Sequence, residues 1–191
     1  MMMEYGKARG FTPIDSLHFI TPVNGVMTTN AKGVGWLLSD ANYVFKEIDR
    51  ASYIYFGDGK EIKSQRPLAP DEVAWKLEID PKAWAEYSPE KKKNIATFRD
   101  RVTTIEYGFR NYDGKIIPQG THSYYLSDAK DAGLDTKDTY KKYLPDMMLH
   151  RAKVGLSKVL GVLTGSESEE LAHAINVGEV QVVEGEVEVI S

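Results

Sequence analysis

The chain contains no cysteine at all. That excludes a disulfide framework, thiolate catalysis and a Cys-ligated structural zinc, and it suits a reducing compartment. No apolar run approaches the roughly 20 residues that a membrane span needs, and no N-terminal stretch has the character of a signal peptide. The expectation is a soluble, cytoplasmic protein with no membrane partner. Nucleotide motifs are missing too. Gly33-Val34-Gly35 and Gly57-Asp58-Gly59 lack a third glycine, and no glycine-rich loop ends in Gly-Lys-Ser/Thr, so ATP-driven chemistry is not expected. The four histidines, His18, His122, His150 and His173, form no i, i+4 pair and no HExxH. Asp128, Asp131, Asp135 and Asp138 are interleaved with Lys130 and Lys137 and miss the spacing of a calcium loop, so they read as helix caps. No GxSxG nucleophile motif occurs. These absences together favour a protein that is not an enzyme and holds no cofactor or metal. A metal nuclease built from scattered carboxylates stays open as a distant alternative.

What is present is enough for one ordinary core: 191 residues, 42% hydrophobic and 10% aromatic. The net charge of −4 conceals an asymmetry. Residues 165–191 carry seven acids and no Lys or Arg, leaving 21 acids against 24 bases over residues 1–164, a formal charge of +3. Within Lys141–Leu160 there are five bases and one acid. A mildly basic body with an acidic end suits a protein that meets a polyanion and has a tail able to compete for the same surface. A solvated surface with charges scattered by chance is the plainer reading.

Residues 1–31, rich in Thr, Asn, Gly and Pro, read as an irregular arm with a turn at Thr21–Gly25. Ser39 or Asp40 can cap a helix through Arg50. Ser52–Phe56, Gly57–Gly59 and Lys60–Ile62 read as a hairpin. Val73, Trp75, Leu77 and Ile79 alternate with polar residues, the pattern of a half-buried strand. Asp80-Pro81 and Ser88-Pro89 each start a short helix, the second running to about Arg99 with Lys91, Lys92 and Lys93 exposed. Ile105, Tyr107 and Phe109 alternate into an Asn111–Gly114 turn and a return strand over Lys115–Leu126, where Pro118 and Gly120 argue for an edge. Ser127 can cap a helical turn ended by Gly133, and Asp135 the next segment. Tyr140–Leu163 reads as one long amphipathic helix with Pro145 in its first turn; Met148, Ala152, Leu156 and Val159 lie on the buried face, with Arg151 and Lys158 along its rim. Residues 166–179 can form an acidic helix. Residues 179–191 alternate Val with Glu, as an edge strand or a tail that orders on a partner.

Bases and aromatics are mixed in two stretches. Arg99, Arg101, Tyr107, Arg110 and Tyr112 form one; Tyr140, Lys141, Lys142, Tyr143, Arg151, Lys153 and Lys158 form the other. Phosphates need cations spaced along a backbone, and unpaired bases need flat faces to stack on. Strands naturally hold Tyr and exposed faces naturally hold Lys, so the pattern alone is weak.

Residues 123–163 add order to it. Asp128-Ala129, Ala132-Gly133-Leu134, Tyr140, Lys141-Lys142, Tyr143, Met147-Met148 and Arg151-Ala152 fall at the offsets of a pattern in the C-terminal half of the RecT-type phage single-strand annealing proteins, which this stretch resembles. Three features depart: Tyr140 stands where Trp is common, the proline is displaced by one at Leu144-Pro145, and Val159-Leu160-Gly161 occupies the place of a usual Phe-Pro-Asp. The resemblance covers about 40 of 191 residues. It implies ATP-independent binding of single-stranded DNA, self-assembly into rings or filaments, pairing of complementary strands, and work alongside a phage exonuclease or a host single-strand binding protein. It also implies Lys141, Lys142, Arg151, Lys153 and Lys158 as phosphate contacts, with Arg151 equally placed to be a structural ion-pair partner.

The expected architecture is α+β, a mostly antiparallel sheet built from hairpins with a long basic helix packed on it. The expected division is an arm over 1–38, a DNA-binding domain over 39–164 and an acidic tail over 165–191. Two alternatives remain: a sequence-independent single-strand binding module without annealing activity, and a phage structural or assembly protein that uses sheet edges and the Val-rich tail as subunit contacts.

Overall fold

Short polar caps and prolines set most of the helix boundaries. The protein, a computed structural model, is described over residues 2–23, 26–57, 59–163, 180–183 and 186–189. It divides into two units, one of residues 1–45, 107–120 and 153–191, the other of residues 46–106 and 121–152. Its helices and antiparallel hairpins make it an α+β protein.

In the first unit the expected irregular arm is folded. Helix α1 (Met2–Lys7) and helix α2 (Pro13–Phe19) precede a hairpin of β1 (Ile20–Val23) and β2 (Val26–Thr29), in the register Ile20 to Thr29. Helix α3 (Ala31–Asp40) follows. Thr12 caps α2 by accepting the Asp15 N–H at 3.1 Å. Asn30 caps α3 by accepting from Lys32 and Gly33, and its amide donates back to the His18 carbonyl at 2.6 Å. Phe11 then packs edge-on against both Phe19 and Trp36, with Phe11–Trp36 centroids 5.1 Å apart, and Phe19 and Trp36 meet at a tilt. A polar, proline-containing composition suggested an arm, but two caps and three rings order it. Gly6 lets α1 meet α2, since a methyl there would collide with the Ser16 side chain. The tip of the β1–β2 turn, Asn24-Gly25, lies outside the described residues. This unit's core is Val34, Leu38, Val154 and Leu163, joined by Tyr43 and Phe45.

The helix expected from Ser39 to Arg50 does not form. The chain turns at Asn42 (φ 62°) and enters β3 (Tyr43–Gly57), because Tyr43, Val44 and Phe45 favour extended backbone. The hairpin to β4 (Lys60–Ser64) stands as expected, with Tyr53 opposite Ser64 and Gly57 opposite Lys60. The strand expected over 73–79 is instead helix α4 (Pro70–Lys76). Pro70 occupies its first turn, the Glu72 carboxylate accepts the Ala69 N–H at 2.9 Å, and Val73, Ala74 and Leu77 are buried at helical spacing while Trp75 is 78% exposed. Alternating residues fit both periods here, and the capping group decides.

Helices α5 (Pro81–Glu86) and α6 (Pro89–Ala96) start at the Asp80 and Ser88 caps as expected, and α6 stops three residues short of Arg99. Strands β5 (Asp100–Arg110) and β6 (Ile116–Tyr125) complete a four-stranded sheet in the order β4-β3-β5-β6. Asn111 and Gly114 (φ 76°) make the turn between them, and β6 takes the edge, as Pro118 requires.

Helix α7 (Leu126–Asp131) is capped by the Asp128 carboxylate on the Tyr125 N–H; the Ser127 hydroxyl, the expected cap, donates to Asp100 at 2.6 Å. Gly133 (φ 63°) ends it. Helix α8 (Asp138–Val159) begins before Pro145 and breaks at Tyr143 (φ −128°, ψ 37°). The break follows from proline, which lacks an N–H and would press on the carbonyl four residues back. The expected single basic helix is therefore interrupted, and Asp135 does not cap it. Among the described residues the second unit's hydrophobic clusters include one of Tyr55, Leu68, Val73, Ala74, Leu77 and Ile79 and another of Ala129, Leu134 and Tyr140 with Leu126, Leu144 and Met147. Strands β7 (Val180–Val183) and β8 (Glu186–Val189) pair as a hairpin. The acidic helix expected at 166–179 lies outside the described residues.

Candidate nucleic-acid interface

The nine residues singled out by sequence fall in both units. Arg110, Lys153 and Lys158 belong to the first; Arg99, Arg101, Tyr140, Lys141, Lys142 and Arg151 belong to the second. Each group stands on different local chemistry.

Arg101 meets a ring that packs on a second one. The Arg101 guanidinium lies 4.3 Å from the centroid of Tyr53 on β3, and Tyr53 packs edge-on against Phe98 at 5.1 Å. Arg101 Nε donates to the Ala51 carbonyl at 2.8 Å, which fixes the plane of the guanidinium. Ala51 is buried and has φ 50°, and its N–H goes to Thr103 Oγ1 at 2.9 Å. The turn of backbone at Ala51 thus aims a carbonyl at Arg101 and costs about 1–2 kcal/mol of left-handed strain. Arg99 is exposed; its backbone N–H bonds Ile54 O at 2.8 Å and its guanidinium reaches Asn94 Oδ1 at 3.1 Å. Phe98 is 42% exposed, a flat face beside two cations.

Tyr140 and Lys141 form a second group. Tyr140 is buried at 2% exposure, whereas Lys141 and Lys142 are exposed. A cleft of about 240 Å³ opens there, lined by Leu126, Lys130, Asp135, Tyr140, Lys141 and Leu144.

Helix α8 beyond its break behaves differently from the expectation. Arg151, placed by sequence on the exposed rim, is buried at 3% exposure together with His150 and Ser157. Its guanidinium serves the interior in this conformation, which favours the structural role left open for it. Lys153 is half-buried with its ammonium 4.3 Å from the Phe45 centroid, and Lys158 is half-buried. Arg110 is exposed at the end of β5, its N–H on the Asn42 carbonyl.

Several participants were not singled out. Tyr53 read only as a strand residue, and Phe98 fell in the stretch expected to be helical to about Arg99. Lys91 and Lys92 read as a solvated run, yet Lys91 sits 3.4 Å from the Tyr87 centroid and Lys92 5.5 Å from that of Trp84. Their i, i+4 and i, i+8 spacings from aromatics across the Ser88-Pro89 corner were the available signal. Arg50 was passed over, and it pairs with Glu47 and Asp146. His122 on β6 is held below the ordinary histidine pKa by burial. Among the described residues no group of three or more His, Asp or Glu side chains is placed to hold a metal ion, and no helix is long and apolar enough to cross a membrane.

No protein-family model matches this chain, and comparison with characterised proteins and with solved structures gives no match either.

Proposed function

We propose that this protein binds single-stranded DNA without ATP and without base-specific readout, and that binding serves the annealing of complementary strands. The observation that carries the reading is the Phe98–Tyr53–Arg101 layer with Arg99 beside it. Stacking on an exposed ring is tolerant of sequence and is worth about 1–3 kcal/mol per base. A guanidinium held over a ring and fixed by a backbone carbonyl is pre-organised for a phosphate. Annealing requires backbone neutralisation while base edges stay free, which suits cations and rings better than polar side chains aimed at base edges. The annealing half of the proposal draws on the resemblance over 123–163. On that reading the protein works as a ring or filament in the cytoplasm of a phage-infected cell, alongside an exonuclease or a host single-strand binding protein.

The test is a titration of a fluorescent single-stranded oligonucleotide across a salt series. Affinity at about 50 mM salt that falls steeply with added salt supports the reading; no binding at that salt, or binding indifferent to salt, removes it. A strand-pairing assay with complementary oligonucleotides separates annealing from plain binding.

One observation favours a second reading, an assembly protein. Strand β6 is exposed over Ile116–Thr121 and lies at a sheet edge, with Tyr112 fully exposed at the adjoining turn. Such an edge is a template for strand addition. A homo-oligomer that persists without DNA and binds none would support that reading over the first.

A further inference from the structure

Helix α6 carries a stripe of residues that the Phe98–Tyr53–Arg101 layer does not use. Pro89, Lys92, Lys93 and Ala96 recur at i, i+3, i+4 and i+7, which places them on one face of the helix. That face lines a recess of about 540 Å³, to which Leu68, Pro70 and Asp71 also contribute, with Thr97 just beyond the helix. The volume falls in the range of about 300–1,000 Å³ typical of ligand sites. The lining combines apolar side chains with two ammonium groups.

Three observations set this stripe apart from a solvated run of lysines. Its neighbouring cations are held in place: Lys91 lies 3.4 Å from the Tyr87 centroid, and Lys92 lies 5.5 Å from that of Trp84 and donates to the Ala85 carbonyl at 3.4 Å. A long side chain already held loses less freedom when it meets a ligand. Lys93 is the opposite case. It is exposed, and its ammonium has no ion pair or hydrogen bond among the described residues, so its charge is open to an anion. The recess also continues into the ring layer. Thr97 on its lining is followed by exposed Phe98 and Arg99, Arg99 reaches back to Asn94 Oδ1 on α6 at 3.1 Å, and Tyr53 packs on the cluster that contains Leu68. All of these residues belong to the second unit.

We infer that the bound single strand leaves the Phe98 ring and runs along α6 through this recess, with phosphates on Lys93 and Lys92 and sugar and base faces against Leu68, Pro70 and Pro89. Eight helical residues at about 1.5 Å each span about 12 Å. A stacked strand advances about 3.4 Å per nucleotide, so the helix spans about three of them. Asp71 is an acid on the lining; its carboxylate accepts from Trp84 Nε1 at 2.8 Å and opposes the phosphates. An acidic peptide would meet the same lysines, but continuity with an exposed stacking ring favours a nucleic-acid strand. This inference rests on the single-strand reading above and adds to it the course of the strand beyond its stacking ring.

The experiment titrates a fluorescent oligothymidylate across a salt series with the full chain and three variants. Lys93→Gln is expected to lower affinity about two- to fivefold and to reduce the salt slope by about 0.7, the value for one phosphate contact on a single strand. Its melting temperature stays that of the parent, because the ammonium holds nothing in the fold. Asp71→Asn keeps an acceptor for Trp84, removes the opposing charge and tightens binding about two- to threefold. Lys137→Gln, an exposed lysine away from the recess, leaves affinity unchanged. Photo-cross-linking of a strand carrying 4-thiothymidine is expected to label residues 89–97 as well as Phe98. If the parent binds the strand while Lys93→Gln binds it with the same affinity and slope, or if Lys137→Gln loses as much as Lys93→Gln, the strand does not run along α6 and the single-strand reading stands. A fluorescent oligoglutamate that binds the parent but not Lys93→Gln, while the strand binds both alike, would assign the recess to an acidic peptide. If the parent binds no strand, the single-strand reading itself fails and the course along α6 goes with it.

Discussion

Arg101 Nε donates to the carbonyl oxygen of Ala51, a fully buried residue held at φ 50°. One side chain thus satisfies strained backbone and presents its remaining guanidinium nitrogens over Tyr53. Arg101→Lys keeps the charge and removes the planar fork. It is expected to lower stability by about 1 kcal/mol, because a buried carbonyl loses its partner, and to weaken single-strand binding with little change in salt slope. Arg101→Ala is expected to reduce the slope as well. Chemical denaturation and the salt-series titration read the two effects separately.

Phe11 tests whether the N-terminal segment is an arm or a folded part of its unit. It is 4% exposed and packs on Phe19 and Trp36. Phe11→Ala is expected to cost about 3–5 kcal/mol, read as a lower denaturation midpoint. An arm would lose nothing.

Glu72 sets an acid limit. The Arg66 guanidinium bonds its carboxylate and the Ala69 N–H adds a second bond, taking its pKa from about 4.5 to about 2. The folded state therefore holds this group ionised more firmly than the unfolded chain does. The contribution is complete above about 4.5 and is lost as pH falls toward about 2. Glu72→Gln should lower stability at every pH above about 4.5, neutrality included, and flatten the profile between about 4.5 and about 2. His122 acts at higher pH: burial lowers its pKa below the usual 6.5, so its share of stability falls as pH drops below 6.5. His122→Gln is the control that separates the two.

Glu78 is a left-handed residue with no need of its side chain. It has φ 58°, is exposed, and pairs only at the surface with Lys60. Glu78→Gly removes strain of about 1 kcal/mol and gives up an exposed ion pair worth about 0–1 kcal/mol. A net rise in the denaturation midpoint at unchanged denaturant slope is expected.

Where a capping residue and a period agreed, the chain could be read directly. Asp80-Pro81, Ser88-Pro89, the hairpin that pairs Gly57 with Lys60, the Asn111–Gly114 turn and the Gly133 stop all stand where local chemistry put them. Reading failed where one pattern served two periods. Val73, Trp75, Leu77 and Ile79 alternate like a strand, and the Ala69–Glu72 cap turns them into a helix. Tyr43, Val44, Glu47 and Ile48 are spaced like a helix, and they lie in a strand. The burial of Arg151 was not legible because a helical wheel places a residue relative to its own helix and cannot show what covers that face. The Arg101–Tyr53 contact joins residues 48 positions apart and the Tyr140 cleft joins two helices. Neither pairing leaves a mark in local spacing.

The core that closes around Val34 and Leu38 takes its other members, Val154 and Leu163, from more than a hundred residues downstream. During synthesis at about 5–20 residues per second, those N-terminal side chains wait roughly 6–25 seconds for their partners. The elements most at risk of capture by chaperones or by a neighbouring nascent chain are therefore α1 to α3. Yield in the cell should depend on that interval more than on the equilibrium stability of the finished protein.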